Sequence, residues 1–408
     1  MMNRPQKELF ERYKQPLAFI LGIYPTSNLG AIRNLGRQKI PTVVLDAKRN
    51  HAAFYSKYTK GFVCPHPKFN EEQYIDFLIL LGKQLPMKGV LIPTGDTETL
   101  ALLRHRKQLE PHYHFTMADY DIVNTFINKK QFYHLLEQHD IPHPKTFFPS
   151  DEQEVRDTSK RLTYPCIVKP VYATYFRLHF NTKLFVASSP DELLSYYTKA
   201  HSKNNEVMLQ EIIPGNATTM FGFNAYYDRS GVPHGGFSYQ RIREWPIGFG
   251  NGCCIQHVRE PQLEQITSSL VKEIGYYGIV DAEFKRDPRD GTFQFIEVNP
   301  RVWMQNSFPS RFGSNLPYIA YLDAIGLPIE NPPNHLPDEK ITWIYLLEDL
   351  QSARVSIRSK TLSLRAWILS YHMGNEYALF AWDDPLPFFV IGFQSIPIFF
   401  SSLFKEDG

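Results

Sequence analysis

Short apolar runs alternate with helix-like patterns through the first hundred residues of the chain. Each run has the length of a buried strand, and the segments between the runs place apolar residues at helical spacing. The strand-like runs are 17–23, 41–46, 62–64 and 89–93, and the helical patterns lie at 31–35, 71–84 and 97–109. A strand, a loop, a helix and a second strand within about 30 residues predict a βα unit of a doubly wound parallel sheet.

The pattern changes after residue 115, where strands separated by turns are mixed with helices. We therefore predict an α/β plus α+β fold, in which a Rossmann-like first domain precedes an α+β region. A segment rich in Pro and Asn at 331–337 predicts a linker. The helices expected here are 120–139, 151–161, 190–197 and 261–275, and the strands are 164–170, 183–187, 207–213, 221–227 and 234–240.

Two alternating runs at 281–287 and 293–301 flank the turn sequence DPRDG and predict a β-hairpin. Side chains alternate along a strand, so Glu297, Asn299 and Arg301 share one face, and Glu283 fits the same face of the partner strand. Two carboxylates and an amide oxygen suit Mg²⁺, and an arginine beside them suits a phosphate. The alternative is an edge hairpin whose polar face is only solvated.

Composition narrows the classes of protein that fit this pattern. The chain has 43% hydrophobic and 21% charged residues and a net charge of +2, which gives no strong field for recruiting nucleic acid. Its four cysteines include an adjacent pair but no C-x-x-C spacing, so neither a zinc site nor a disulfide framework is expected. This usage predicts a reducing, cytoplasmic compartment.

Polar groups at strand ends are the first candidates for ligand contacts. Asp46 lies where a dinucleotide fold places a ribose-binding acid, but the G-x-G-x-x-G fingerprint is missing, so a structural layer is favoured over NAD binding. Asp96 and Glu98 follow the fourth strand, and their first interpretation is helix capping. Lys169 interrupts an apolar strand and requires an anionic partner, either a structural carboxylate or a ligand phosphate.

The order of these parts over residues 17–330 resembles the ATP-grasp superfamily, in particular the carboxylate–amine ligases related to D-aspartate ligase and biotin carboxylase. The resemblance implies a pre-ATP-grasp domain at 1–117 and an ATP-grasp domain at 118–330. Its two α+β subdomains, 118–206 and 207–330, would hold ATP with Mg²⁺ or Mn²⁺ between them. Residues 331–408 would form a C-terminal extension.

The resemblance also implies a role for each matching residue. Lys129 and Lys169 are similar to the phosphate-binding lysines, and 210–213 to the hinge strand that contacts adenine through its main chain. The implied metal ligands are Glu283, Glu297 and Asn299. Arg301, Arg241 and Arg243 are expected near the transferred phosphate. The implied nucleotide-binding residues are Lys129, Lys169, Lys183, Gln210, Glu211, Ile212, Ile213 and Asn216, the last beside the ribose.

The implied reaction activates a small-molecule carboxylate as an acyl phosphate and condenses it with an amine, the favoured class being an amino acid. A catalytically inactive ATP-binding regulatory or scaffolding protein is the alternative, and a biotin-type carboxylase is a weaker one. A homodimer is left open.

Two segments depart from the simple pattern. The expected lid at 171–182 contains no glycine, so the charges of Arg177, His179 or Lys183 would replace close backbone approach to phosphate. The apolar stretch at 388–404 contains no charged residue. We expect it to pack on the protein, with peripheral membrane contact or a partner surface as alternatives.

Overall fold

A computed structural model describes residues 13–329, 341–371 and 375–403. The strands in these ranges form three sheets, of five, four and seven strands. The predicted linker at 331–337 lies outside the described residues.

The first sheet has the parallel strands that the apolar runs predict. Ala18 and Ile20 belong to one hydrophobic core and Phe19 and Leu21 to another, so both faces of the sheet are covered. Its strand order is β3-β2-β1-β4-β5. The elements are β1 (Ala18–Leu21), α1 (Pro25–Arg37), β2 (Thr42–Asp46), β3 (Thr59–Val63), α2 (Glu71–Gly82), β4 (Gly89–Pro93), α3 (Asp96–Arg104), α4 (Arg106–Leu109) and β5 (Tyr113–Phe115).

Two short helices, α5 (Tyr120–Ile127) and α6 (Lys129–Gln138), replace the single helix predicted at 120–139. Asn128 between them is extended, and its side chain accepts hydrogen bonds from the backbone N–H groups of the next helix. Asparagine competes with helical hydrogen bonding in this way and favours a helix start. Lys129 is therefore the first residue of a helix.

The four-stranded sheet is antiparallel, in the order β6-β9-β7-β8, and it has a hydrophobic core of its own. Because β9 pairs with β6 and β7, the subdomain boundary predicted at 207 would divide this sheet, and the unit extends through Glu211. The expected lid contains a helix, α8. The elements are β6 (Thr146–Phe147), α7 (Glu152–Ser159), β7 (Cys166–Pro170), α8 (Ala173–Phe180), β8 (Phe185–Ala187), α9 (Pro190–His201) and β9 (Val207–Glu211).

The seven-stranded sheet contains the predicted hairpin as β13 and β14, and its order is β14-β13-β10-β11-β12-β15-β16. Strand β12 begins inside the glycine-rich segment 248–252. Strands β15 and β16 come from the C-terminal region, which therefore completes this sheet. The elements are β10 (Met220–Tyr227), β11 (Pro233–Trp245), β12 (Asn251–Val258), α10 (Pro261–Glu273), β13 (Gly278–Arg286), β14 (Phe293–Asn299), α11 (Leu316–Ala324), β15 (Thr342–Ile344), α12 (Leu346–Arg358), α13 (Leu364–Leu369), β16 (Glu376–Tyr377) and α14 (Leu386–Leu403).

The chain returns to the first sheet before α14. Asp384 is buried and accepts hydrogen bonds from Arg33 of α1, at 3.0 Å, and from Ser56, at 2.8 Å. Helix α14 lies against the segment Ala52–Tyr55, with Ile391 buried and Gln394 bonded to the carbonyl of Asn50. In the described ranges no helix is long and apolar enough to cross a membrane.

Candidate active site

A cleft of about 630 Å³ lies where the three sheets meet. Its walls come from the carboxyl edge of the first sheet, from the four-stranded sheet and from the hairpin β13–β14. All the predicted site residues except Arg243 line it. They are Lys129, Lys169, Lys183, Gln210, Glu211, Ile212, Ile213, Asn216, Arg241, Glu283, Glu297, Asn299 and Arg301.

The register of the hairpin places acidic side chains directly opposite each other. Glu283 pairs with Glu297, and Asp281 pairs with Asn299, on strands β13 and β14. Like charges in opposite positions of an antiparallel pair are unfavourable without a compensating cation. The two glutamates therefore require positively charged groups nearby on this wall of the cleft.

Two lysines, one from the four-stranded sheet and one from α6, compensate the charge of Glu297. Lys169 Nζ lies 3.3 Å from Glu297 Oε2. Burial acts to raise the pKa of Glu297, but Lys169 and Lys129 outweigh it and lower the pKa below its usual range. Burial, together with Lys169, lowers the pKa of Lys129, and Lys129 forms no ion pair within the described part of the chain. A phosphate group would supply the missing anion.

Arg241 compensates the charge of the other glutamate, Glu283. Its guanidinium lies 2.5 Å from Glu283 Oε2 and donates another hydrogen bond to the carbonyl of Gly250. Burial opposes the charged arginine, but Glu283 raises its pKa above the ordinary value. Two opposite-charge pairs result, Lys169 with Glu297 and Arg241 with Glu283.

Arg243 is the predicted site residue that the structure does not bring to the cleft. A β-bulge lies between Arg241 and Arg243 on β11, and a bulge interrupts the alternation that would place residues two apart on one face. The Arg243 guanidinium is buried and bonded to Asp349, at 2.6 Å, and to Ser370. The expectation that Arg243 reaches a transferred phosphate is wrong for this structure.

Arg301 joins the hairpin to the first sheet. It donates to Asn299 Oδ1 at 3.1 Å and to Asp96 Oδ1 at 2.5 Å. Gly95, and not Asp96, is the N-cap of α3, so Asp96 is a first-turn residue whose carboxylate faces the cleft. Its place after a parallel strand was the sequence signal for this contact.

Asp281 is a site residue that was missed in the sequence. It is buried and accepts hydrogen bonds from Asn224, at 2.7 Å, and from Asn299, at 3.0 Å. Burial and the neighbouring Glu283 raise its pKa to about 7. Alternation on the strand could have identified it, because Asp281 and Glu283 share a face.

The segment 210–213, which is similar to a hinge strand that contacts adenine, extends two residues past the end of β9. Among the described residues, no backbone hydrogen bond involves Ile212 or Ile213. The Gln210 side chain is bonded to Thr146 and is buried. Asn216 lines the cleft, but its Oδ1 caps the following 3₁₀ turn, so only its amide nitrogen is left for a ligand.

The cover of the cleft is a helix and the segment after it. Arg177 of α8 lines the cleft, whereas His179 is bonded to Asn205 and does not. Lys183 donates to Asn251 at 2.6 Å and so joins this cover to the start of β12. Burial, and after it the charge of Arg177, lowers the pKa of Lys183 to about 8.

The chain is similar in sequence to proteins of known function. No protein-family model matches the chain. It is 27% identical over 278 residues to D-aspartate ligase of Enterococcus faecium, covering 64% of this chain and 65% of that protein. It is 22% identical over 317 residues to the carbamoyl phosphate synthase large chain of Rhodopirellula baltica, covering 73% of this chain and 26% of that one. The match thus spans less than two thirds of each relative.

Solved structures show the same fold at lower identity. The biotin carboxylase domain of Hydrogenobacter thermophilus 2-oxoglutarate carboxylase, solved with MgADP, ADP and bicarbonate, superposes with a TM-score of 0.63 at 15% identity. That match covers 78% of this chain and 71% of the other. L-amino acid ligase from Bacillus licheniformis gives a TM-score of 0.60 at 14% identity, over 78% and 76%.

Fold and similarity together define the class. The chain is homologous in sequence to D-aspartate ligase and to the carbamoyl phosphate synthase large chain, and it shares its fold with the biotin carboxylase domain and L-amino acid ligase.

Proposed function

We propose that the protein is an ATP-dependent carboxylate–amine ligase. The observation that carries the proposal is the pair of opposed glutamates, Glu283 and Glu297, facing Lys129 and Lys169 across a cleft. Paired carboxylates that face cations suit the Mg²⁺–phosphate end of a nucleotide. The class of reaction, a ligation, is inferred from the similar proteins D-aspartate ligase and L-amino acid ligase.

The three sheets correspond to the parts that this function needs. The five-stranded sheet is the pre-ATP-grasp domain, and the four- and seven-stranded sheets are the two subdomains between which ATP binds. The described C-terminal region belongs with the larger subdomain, because β15 pairs with β12. A homodimer and a cytoplasmic location stay predictions. The four cysteines, all buried and free, agree with a reducing compartment.

The donor set fits Mg²⁺. The described residues contain no cluster of three or more His, Cys, Asp or Glu side chains able to hold a metal. Glu283, Glu297 and the amide oxygen of Asn299 offer only hard oxygen donors, and Mg²⁺ characteristically takes one or two carboxylates with phosphate oxygens and water. When bound, the ion neutralises phosphate charge, and Mn²⁺ accepts the same donors.

The chain itself binds and orients the reactants. The unbonded main chain of Ile212 and Ile213 contacts adenine, Asn216 lies at the ribose, and Lys129 and Lys169 bind phosphate oxygens. A carboxylate oxygen of the acid attacks the γ-phosphorus, and the bond to ADP breaks. The amine then attacks the carbonyl carbon of the acyl phosphate, phosphate leaves, and the amine nitrogen loses a proton. Arg301 and Arg241 stabilise the phosphate that moves.

Substitution Glu297→Gln tests the proposal. The change keeps the shape but removes the charge that pairs with Lys169, so turnover should fall about 100-fold or more. Substrate-dependent ADP release is measured over a screen of acid–amine pairs, and circular dichroism checks the fold. The control is Glu273→Gln, an exposed position on α10 outside the cleft.

Wild-type turnover in Glu297→Gln would remove the metal assignment. An absence of ADP release from the wild type with every pair would instead favour the inactive, nucleotide-binding alternative.

A further inference from the structure

Helices α12 and α13 carry positive charge that acidic residues of the same segment do not offset. Residues 350–375 contain four lysine or arginine residues and neither aspartate nor glutamate, whereas the whole chain has a net charge of only +2. These cations are Arg354, Arg358, Lys360 and Arg365. All four are exposed, and none forms an ion pair with another residue of the described ranges. Residues 346–369 therefore form a basic hairpin of two helices.

Large aliphatic side chains lie among these cations. Helix α13 buries none of its residues, and Leu364, Ile368 and Leu369 are 55%, 56% and 61% exposed. Leu350 and Val355 of α12 are exposed as well. Single exposed aliphatic residues are normal on a protein surface, but a group of them within one short segment marks an interaction site.

The inner side of the basic hairpin is fixed to the large sheet. Trp367 Nε1 and the Tyr371 hydroxyl donate to the buried carboxylate of Asp349, at 2.9 and 2.5 Å. Arg243 of β11 pairs with the same carboxylate, and α12 lies against both β11 and β12. The exposed cations and aliphatic side chains therefore project from a well-packed support.

We propose that the basic hairpin binds an anionic lipid surface. Its cations bind headgroup phosphates, and its aliphatic side chains enter the boundary between headgroups and acyl chains. Such a surface satisfies both features at once, because helices that lie on membranes combine Lys or Arg with exposed apolar residues. The inference is independent of the ligase reaction.

Two other occupants fit this surface less well. A second copy of the chain, related by a twofold axis, would place the same four cations against each other. A nucleic acid would use the cations but not the aliphatic side chains, and the described residues of 350–371 include no exposed aromatic side chain on which a base could stack.

Vesicle co-sedimentation of the full chain tests the proposal. The vesicles contain phosphatidylcholine alone, or phosphatidylcholine and phosphatidylserine at about 2:1, as models of a neutral and an anionic surface. Partitioning onto the mixed vesicles should be about 100-fold stronger or more, since each cation near the surface strengthens binding about fivefold. Added salt should weaken it. An absence of binding to the mixed vesicles, or equal binding to both kinds, would overturn the proposal.

Two multiple variants locate the surface. Exchange of all four cations of the basic hairpin for Gln should weaken binding to the mixed vesicles about 100-fold or more. Leu364→Ser, Ile368→Ser and Leu369→Ser together should weaken it about tenfold or more, because less apolar area leaves water. None of these side chains is buried, and circular dichroism checks the fold.

The matched control removes the same charge elsewhere on the protein. Four exposed lysines are exchanged for Gln; they are Lys83, Lys107, Lys203 and Lys272. Binding in this control should stay within about threefold of the wild type, because screening limits the reach of distant charges. An equal loss in the control would show that net charge, and not the basic hairpin, determines binding.

Helix α14 provides the second comparison, since Phe389 and Phe393 are also exposed. Phe389→Ser with Phe393→Ser should leave binding to the mixed vesicles unchanged. If this variant loses binding while both variants of the basic hairpin keep it, the lipid contact belongs to α14 and the proposal is wrong. Binding of an oligonucleotide that the four-cation variant loses, without any vesicle binding, would assign the surface to nucleic acid instead.

Discussion

Arg241 and Arg243 show how one inserted residue changes the role of a side chain. The sequence suggested that both reach the same phosphate, since residues two apart on a strand share a face. With the bulge between them, Arg241 pairs with Glu283 in the cleft and Arg243 with Asp349 behind it. Sequence alternation cannot reveal a bulge, because nothing in the residue types at 241–243 requires one.

Arg243→Met should therefore destabilise the fold. Asp349 is fully buried, and removing its arginine leaves a buried carboxylate without its cation, which costs about 3–5 kcal/mol. Urea unfolding measures the change, with Arg259→Met at an exposed position as the control. Unchanged stability with a loss of turnover would restore Arg243 to the reaction site.

Site residues that lie close together in the sequence were predicted, whereas contacts between distant parts of the chain were not. Glu283 and Glu297 lie on one hairpin, and Lys129 and Lys169 were identified from their order along the chain. The bond between Arg301 and Asp96 spans 205 residues, and local pattern carries no information about such a pairing. Asp96 was accordingly interpreted first as a helix-capping residue.

Among the secondary-structure elements, the cover of the cleft differs most from expectation. The sequence indicated a glycine-free lid at 171–182, and the structure has α8 there, which ends at Asn181 in the left-handed conformation at φ 52°. The segment contains no glycine, and asparagine tolerates the left-handed position that ends the helix. Lys183 follows directly and brings a cation into the cleft.

The affinity for ATP should consequently depend on pH through Lys183. Its pKa is lowered to about 8, so its charge is present below pH 8 and is lost as the pH rises through that value. The ATP dissociation constant should rise about tenfold between pH 7.5 and 9.5, and Lys183→Arg should remove this rise because arginine stays charged. The charged groups that act on Lys183 are Arg177, Arg241, Glu283, Glu297 and Glu348.

Equilibrium titration with ATP and Mg²⁺ at constant ionic strength checks this dependence. An equal rise in Lys183→Arg would assign the titration to another group.

At the scale of the whole molecule, the C-terminal region is part of the main body. It supplies β15 and β16 to the large sheet and an acidic pair, Asp383 and Asp384, to helix α1. The sequence suggested a separate extension because the separation between Arg33 and Asp384, 351 residues, hides the contact. The parallel strands and alternating helices of the first sheet, by contrast, follow from local apolar runs and were predicted, although their order was not.

The two adjacent aspartates allow a matched test of this contact. Asp384 is buried with Arg33, whose pKa is lowered by burial, whereas Asp383 and Arg37 are more than one-third exposed. Asp384→Asn should cost about 3–5 kcal/mol of unfolding free energy, because it leaves a buried guanidinium without its anion. Asp383→Asn should cost at most about 1 kcal/mol. Guanidinium unfolding measures both, and equal costs would show that the buried pair is not a stabilising anchor.

The separate core of the four-stranded sheet determines how the cleft can change width. The other two cores each combine residues of the first sheet with residues of the seven-stranded sheet, which makes those parts mechanically one body. The ion pair between Asp384 and Arg33 of α1 also connects the C-terminal region to the first sheet. If the cleft narrows over a nucleotide, we expect the unit built on the four-stranded sheet to rotate against the rest, about its two chain connections, 139–145 and 212–219.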